Sequence, residues 1–453
     1  VDPAGNRSAE MPPIAVVVDR SSIYASSDAP EGGDGSPARP LRSLDAALAL
    51  AARQGKRSVH LRGSFILTKS FESVAPIEID GGFAPDWSRR RSERPAVRLA
   101  SVGPKAALGV AGASLALRGI DISATEAATP VFEAMNGALR LEDCEVAVSA
   151  EGDALMIRAV NSSILIERST MRSDRAMSFS GVQATRCDVR LSASSLSASS
   201  GVRFFGGFDL EGGSLELDGS LVESTADLGA TLLALRASRI AVDRSLFRAA
   251  GGSGFFRVGS FNESGGEIGN SKFIVSWEGR ATLFDVVGIG PAFRHDTIVA
   301  EGKKGDLTFF ECSGAQPELW NCIVSCASGG GTLSKAGIPP AAGVFVADCV
   351  YGFDLLAVSS GAGAGVSRIA TLAALNALNA GSAPYASKPC ISEAPLKTFA
   401  ASMKSVASLA GGSACVEAAV SLGGAYVRDF RGSPRPSSRG SGAPDIGADE
   451  VGE

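Results

Sequence analysis

Three side chains in this sequence could do chemistry together. Arg257, Asp285 and Glu311 each close a short apolar run: PhePheArg at 255–257, LeuPheAsp at 283–285 and PhePheGlu at 309–311. If the middle residue of each run points inward, the last points outward. On a parallel ladder the three would then stack at about 5 Å per step. Two carboxylates at that spacing match the pair of a retaining glycosidase, which stand roughly 5–5.5 Å apart. With an arginine beside them they also match a Ca²⁺ site. The plain alternative is a solvated ion-pair ladder, in which Arg257 lowers both carboxyl pKa values and neither can serve as general acid.

The same inward–outward reading extends along the chain. It places Phe132, Ile157, Phe179, Phe204, Leu232, Phe256, Phe284 and Phe310 inward, and Glu133, Arg158, Ser180, Phe205, Leu233, Arg257, Asp285 and Glu311 outward. A second outward series is Arg118, Glu142, Glu167, Ser192, Asp218, Asp243, Gly269, Arg294 and Trp320. Four acids with little base nearby read as a mildly acidic stripe that keeps a long sheet soluble. The two histidines are expected to be structural or solvated, His60 outward on a strand and His295 at a turn. Cys322, Cys326 and His295 supply too few ligands for zinc. Of the eight cysteines, Cys390 and Cys415 are the pair expected to bridge.

What would position these residues is a repeat. Leu117, Leu141, Ile166, Leu191, Leu217, Val242, Ile268, Phe293 and Leu319 begin equivalent copies, 24 to 26 residues apart. Five residues on comes a second apolar position: Ile122, Val146, Met171, Leu196, Val222, Phe247, Phe273, Ile298 and Val324. A period this steady indicates a solenoid. The apolar runs are short, β-branched or aromatic, and bounded by Gly, Ser, Asn and Asp, which reads as strands. The pattern of leucine-rich repeats is absent. The expected fold class is therefore all-β: a right-handed single-stranded parallel β-helix of about 25 residues and three strands per coil, with an N-terminal capping helix and an irregular C-terminal cap. Three residues after each start from Leu141 on come Cys144, Ser169, Ser194, Ser220, Ser245, Ser271, Asp296 and Cys322, small polar residues suited to passing hydrogen bonds from coil to coil.

With 453 residues the chain would ordinarily divide into two or three domains, but a solenoid core grows in one dimension. Net charge is −5 with both signs mixed throughout, so no basic stripe points to nucleic acid. No apolar run approaches the roughly 20 residues of a membrane span. Three divisions are expected: 1–57 as arm, strand and capping helix, 58–326 as the β-helix, and 327–453 as loop, final coils and cap. Within them, 1–13 reads as a polar arm, 14–19 as a strand, 43–52 as a helix with Ser43 as N-cap, and 367–379 as a second short helix.

The opening, with AspGlySerPro at 34–37, ProLeuArgSerLeuAspAlaAla at 40–47 and a short strand ending in Gly63, resembles that of secreted right-handed β-helix proteins of the pectate-lyase-like superfamily. The tail, with AspPheArgGlySerProArgPro at 429–436 and AspIleGlyAlaAspGlu at 445–450, looks like the C-terminal region of the same group, where such a segment closes the last coil. The resemblance implies a bacterial protein, secreted or held at the outer surface or in the periplasm, and a start at Val1 without an initiator Met reads as numbering that begins after a removed export signal or a tag. The regular coils favour a binding or structural module without catalysis. Its expected partner is a polysaccharide or cell-surface component, and it needs no cofactor unless Ca²⁺ binds. The alternative is a polysaccharide lyase or glycoside hydrolase acting through Asp285, Glu311 and Arg257 on the outward face of the third strand.

Overall fold

The computed structural model describes residues 21–89, 93–99, 106–125, 130–302, 307–336, 344–361, 364–379 and 389–393, and shorter stretches of the tail between 409 and 448. The arm expected at 1–13 and the strand at 14–19 lie outside the described residues.

The expected parallel β-helix is what the structure shows. Leu117, Leu141, Ile166, Leu191, Leu217, Val242, Ile268, Phe293 and Leu319 are successive register partners on parallel strands, and all are buried. Ile122 through Val324 form a second buried ladder. Parallel pairing already begins with Ser22–Ser26 against Ser58–Arg62. It goes on past Cys326, where the sequence period stops, to Gly331–Ala336 against Phe353–Gly361. In the core, like side chains stack on like: the Phe247 and Phe273 rings lie 4.7 Å apart and nearly parallel, and Phe284 stands 5.1 Å from Phe310.

Between the first and second ladders each coil turns on one residue in the left-handed region. Asp143, Arg168, Ala193, Gly219, Arg244, Asn270, His295 and Asn321 all have φ between 47° and 58°. The conformation is disfavoured for most L-residues, yet here it recurs on rung after rung. Such a corner turns the next amide away from ordinary strand pairing, and a buried N–H needs an acceptor. The small polar ladder supplies it. The amide of Cys144 donates to Ser169 Oγ at 3.0 Å, that of Ser169 to Ser194 Oγ at 3.0 Å, and the relay continues through Ser220 and Ser245 to Ser271. Asp296 then takes the serine's place, accepting from the Ser271 amide at 2.8 Å, and Asp348 accepts from Cys322 at 2.7 Å. Burial pushes both carboxyls well above the usual carboxylate range.

The helix Leu44–Gln54 covers the first coil, laying Leu44, Ala47, Leu48 and Ala51 on the core. Ser43 caps it by accepting from the Ala46 amide, and Gly55 ends it at φ 63°. An open stack of strands exposes an apolar end and unpaired edges, which the helix covers. At the other end the sequence expectation needs correction. The helix is confined to Leu372–Asn379, and Ala364–Ile369 is a strand running antiparallel to Phe353–Gly361. The alanines and leucines that favour a helix lie at 370–378, while residues 367–369, with β-branched Ile369, join the pairing offered by the last open edge.

The tail lies along the corners. Asn321 exchanges two hydrogen bonds of 2.8 Å with the backbone of Val420, while Gly447 donates to Asn321 O at 2.7 Å and Ala448 to Thr297 Oγ1 at 3.0 Å. Asp445 to Ala448 thus pack on the sides of the coils; Asp449 and Glu450 lie outside the described residues. All eight cysteines are free and buried. Cys415 meets Cys349 rather than Cys390, which corrects the expected pairing. That contact pushes Cys349 up and holds Cys415 down, as two neighbouring thiols sharing a proton must. The spacing of two tail cysteines carried no sign that the tail folds back onto an earlier strand.

Candidate functional site

The third run of each coil bends where two successive residues both point inward: Met156–Ile157, Leu232–Leu233, Val258–Gly259, Leu283–Phe284 and Phe309–Phe310. Alternation flips across this bend. The outward residues therefore form separate rows. Before the bend run Ser178, Phe204, Gly229 and Phe255, and beside them Ser180, Gly206, Thr231 and Arg257. After it run Glu133, Arg158, Gln183, Asp209, Ala234, Ser260, Asp285, Glu311 and Lys335.

This corrects the sequence-derived row. Phe204, expected inward, is 46% exposed, and Phe205, expected outward, is 2% exposed. Leu233 also faces the core. Glu311 does stack on Asp285, but the residue one coil before Asp285 is Ser260, and Arg257 stands on the other row. The misplacement comes from aligning Phe256 with Phe284 because both are aromatic. Phe256 pairs with Ala281, and the extra inward residue of the bend makes the difference.

Arg257 still reaches the pair diagonally. Its Nη2 lies 3.1 Å from Asp285 Oδ2, and its guanidinium covers the Phe255 ring at 4.6 Å. Its Nε is buried with no hydrogen-bond partner among the described residues. Glu311 Oε2 lies 3.4 Å from the Thr282 hydroxyl. The three expected site residues are thus brought together, as an ion pair with a second carboxylate one rung on.

What the sequence reading missed lies on the Arg257 side. Gly206, Gly229, Ala234 and Ser260 put little or no side chain on the surface, leaving a groove of about 480 Å³. Phe204 and Phe255 stand over it, two rungs apart with Gly229 between them, and Arg257 and Asp209 line it too. Two rungs amount to roughly 9–10 Å. The signal that could have revealed it is a glycine at the 25-residue spacing between two phenylalanines, once the register is set by the leucine ladder.

The other outward series, extended forward, reads Tyr24, His60, Asp80, Arg118, Glu142, Glu167 and on to Trp320. It is not acidic in isolation, as the sequence suggested. Arg118 pairs with Glu78 and Glu142, Arg140 with Glu142 and Glu167, Arg168 with Glu142 and Asp143, and Arg244 with Asp218 and Asp243. Arg118 belongs to the row itself, but Arg140 comes from the neighbouring row and Arg168 and Arg244 from the corner, which a reading of one row cannot see. His60 faces outward, as expected. His295 is fully buried at a corner, with Arg435 Nη1 3.1 Å from its Nδ1. Burial, reinforced by Arg435, pushes it well below the usual histidine range, so it stays neutral and structural. Among the described residues no group of three or more His, Cys, Asp or Glu is placed to hold a metal ion. Residues 84–89 fold over the first coils, with Trp87 against Tyr24 and under Arg62.

No family model and no curated protein matches the sequence. Among solved structures the fold is similar to that of a rhamnogalacturonan lyase, at 11% identity and a TM-score of 0.40 over 67% of this chain and 87% of that one. It is also similar to the A-module of an Azotobacter vinelandii mannuronan C-5 epimerase, at 10% identity and 0.37 over 71% and 91%, and to the Dettilon tailspike protein, at 12% and 0.31 over 75% and 68%. Likeness at this level concerns the course of the coils and assigns no residue a role. Among the described residues no helix is long and apolar enough to cross a membrane.

Proposed function

We propose that this β-helix binds a polysaccharide, lying along the coils in the groove between Phe204 and Phe255, as an exported or cell-surface module without catalysis. The observation that carries the reading is the exposed pair of rings, 46% and 38% exposed, on either side of Gly229. Large apolar side chains held out of a core at regular spacing mark a binding surface, and a site of this kind couples apolar platforms to a few convergent polar groups. Here those groups are Arg257, Asp209, Ser178, Ser180 and Thr231. The rings offer flat faces to the C–H faces of sugars, and the Arg257 guanidinium, already stacked on Phe255, offers donors to hydroxyl or carboxylate oxygens.

Asp285 and Glu311 support a second reading, because they are carboxylates on adjacent rungs next to the groove. Their arrangement argues for support instead. Arg257 holds Asp285 in an ion pair at 3.1 Å, so a substrate would have to displace that contact to reach the carboxylate. Binding over a panel of neutral and acidic polysaccharides, with reducing-end and unsaturated-product assays with and without Ca²⁺, separates the two. The expected result is retention of at least one polysaccharide, weakened about tenfold by Phe204→Ala or Phe255→Ala, and no cut product. Cleavage lost in Asp285→Asn or Glu311→Gln would establish the enzyme instead, and binding indifferent to both phenylalanines would refute the groove.

A further inference from the structure

At the opposite end of the stack, three side chains from three successive strands meet in a different arrangement. Ser22 lies on Ser22–Ser26, His60 on Ser58–Arg62 and Asp80 on Ile77–Asp80. His60 and Asp80 are register partners, and Ser22 stands two residues before Tyr24, the partner of His60 on the preceding rung. Ser22 Oγ lies 2.9 Å from His60 Nε2, and His60 Nδ1 faces Asp80 Oδ2 at 4.0 Å. Asp80 is anchored from the far side by Arg89 at 2.8 Å. The imidazole is fixed by rings on two sides, Tyr24 at 5.0 Å and Phe83 edge-on at 4.7 Å. All three polar residues are largely buried, while both ring nitrogens are directed at the two partners a relay requires.

We propose that Ser22, His60 and Asp80 form a nucleophilic serine site that hydrolyses esters of short acyl groups. The roles follow from which atoms face each other. With a carboxylate opposite Nδ1, the proton of the neutral imidazole resides on Nδ1 and Nε2 is free to accept from the Ser22 hydroxyl. As Ser22 Oγ attacks an ester carbonyl carbon, its proton passes to His60 Nε2. The tetrahedral adduct then expels the alcohol, which takes that proton, leaving acyl-Ser22. Water, deprotonated by the same nitrogen, releases the acid and restores the serine. Asp80 touches no reacting atom. It positions the imidazole and offsets the charge of the imidazolium, and the 4.0 Å gap is one that tightens as that charge forms. Ser58, the register partner of Ser22, presents a second hydroxyl on the same outward row for the carbonyl oxygen. Tyr24 and Phe83 pack against His60 and Trp87 against both of those rings, crowding the nucleophile in a way that favours a small acyl group over a long chain.

The intact protein is to be treated with a fluorophosphonate probe, with the labelled residue mapped by mass spectrometry, and assayed with p-nitrophenyl acetate and p-nitrophenyl octanoate. The expected result is a label on Ser22 and turnover of the acetate in preference to the octanoate. Turnover should fall at least a hundredfold in Ser22→Ala and His60→Gln, and Asp80→Asn should lower kcat with KM unchanged. Labelling of the wild-type chain needs no variant to fold, so misfolding cannot mask the answer. If Ser22 is not labelled, or if a folded Ser22→Ala keeps its turnover, the contact is only a strand-to-strand hydrogen bond and the proposal is overturned.

Discussion

Between Glu78 and Arg168 the outward rows of the first run alternate in charge, and Arg118, Arg140 and Arg168 bind Glu78, Glu142, Glu167 and Asp143 at 2.6 to 3.0 Å. Between Ser178 and Ser260 the outward rows of the third run become small, with Gly206, Gly229, Thr231 and Ala234, and two phenylalanines stand clear of the core. Both surfaces rest on the same inner ladders. On the first, each long side chain already has a partner one rung away, so a ligand would have to displace an ion pair. On the second, the missing side chains leave room and the exposed rings have apolar faces to cover. A β-helix sets position by its core and leaves each outward row free to become either a closed charge lattice or an open groove.

The comparison assumes that the core beneath both surfaces is equally tight, and this assumption offers the largest effect to test. Phe284 is fully buried, stacked on Phe310 and edge-on to Phe273 and Phe293. Phe284→Ala should destabilise the protein by about 3–5 kcal/mol, from lost burial plus the cavity left behind. A shift in denaturant stability below about 1 kcal/mol would mean that the coils can collapse around the gap, and that the register beneath the groove is looser than the stacking shows.

Next comes Asp80, at the end of the charged face, where burial outweighs pairing. Its carboxyl is raised to about 6 by burial, against the opposing pull of Arg89. Glu78 and Glu142 push in the same direction as burial, Arg118 pulls with Arg89, and His60 faces it at 4.0 Å. A carboxyl raised in the folded state favours folding when protonated. That contribution is complete below the unfolded pKa of roughly 4 and is lost as pH rises through about 6. Two units correspond to at most about 3 kcal/mol. Asp80→Asn should therefore stabilise the chain at pH 8 relative to the wild type and change little at pH 4, as read from denaturation midpoints. A loss of stability at pH 8 would show that Arg89, not burial, controls this carboxyl.

How far these surfaces were legible in the sequence depended on what marked each residue. The inner ladders were readable because Leu117 and its equivalents recur with the coil, and the relay from Ser169 to Ser271 because small polar residues fall at a constant offset. The capping helix was readable from Ser43 and Gly55. The bends were not, because Leu232–Leu233 or Phe309–Phe310 looks like any apolar pair, and nothing local says that both members face in. That hidden parity change moved Phe205 outward and Phe204 inward on paper and put Arg257 in line with Asp285. The groove was lost with it, since it exists only once Gly229 is set between Phe204 and Phe255. The meetings of His295 with Arg435 and of Cys349 with Cys415 depend on a tail folding back over a hundred or so residues of coil, which no spacing encodes.

The groove itself yields a smaller energetic effect than the core but a more selective one. Gly229→Leu would place a side chain against the Phe204 ring, whose nearest atom is 3.4 Å from where a Cβ would stand. The φ of Gly229 is not in the left-handed region, but a Cβ would also stand 3.0 Å from the Phe255 carbonyl oxygen, so the strand must give by a few tenths of an ångström. Filling the gap should weaken polysaccharide binding tenfold or more, about 1.4 kcal/mol, while leaving the thermal midpoint within a few degrees. Unchanged binding would move the ligand off this face.

The charged lattice gives the smallest expected change, and its smallness is informative. Arg140 pairs with Glu142 at 3.0 Å and with Glu167 at 2.7 Å, but its side chain is 44% exposed. Exposed pairs of this kind contribute about 0–1 kcal/mol, because solvent screens the attraction and ordering a long side chain opposes it. Glu142 would keep Arg118 and Arg168 after the loss of Arg140, and Glu167, which loses its partner, is 26% exposed and open to water. Arg140→Ala should accordingly lower stability by less than about 1 kcal/mol, with the difference shrinking further in high salt, and should leave polysaccharide binding unchanged. If Arg140→Ala weakened binding as strongly as Phe204→Ala, the ligand would have to run across the charged face as well, and the contrast between a closed lattice and an open groove would fail.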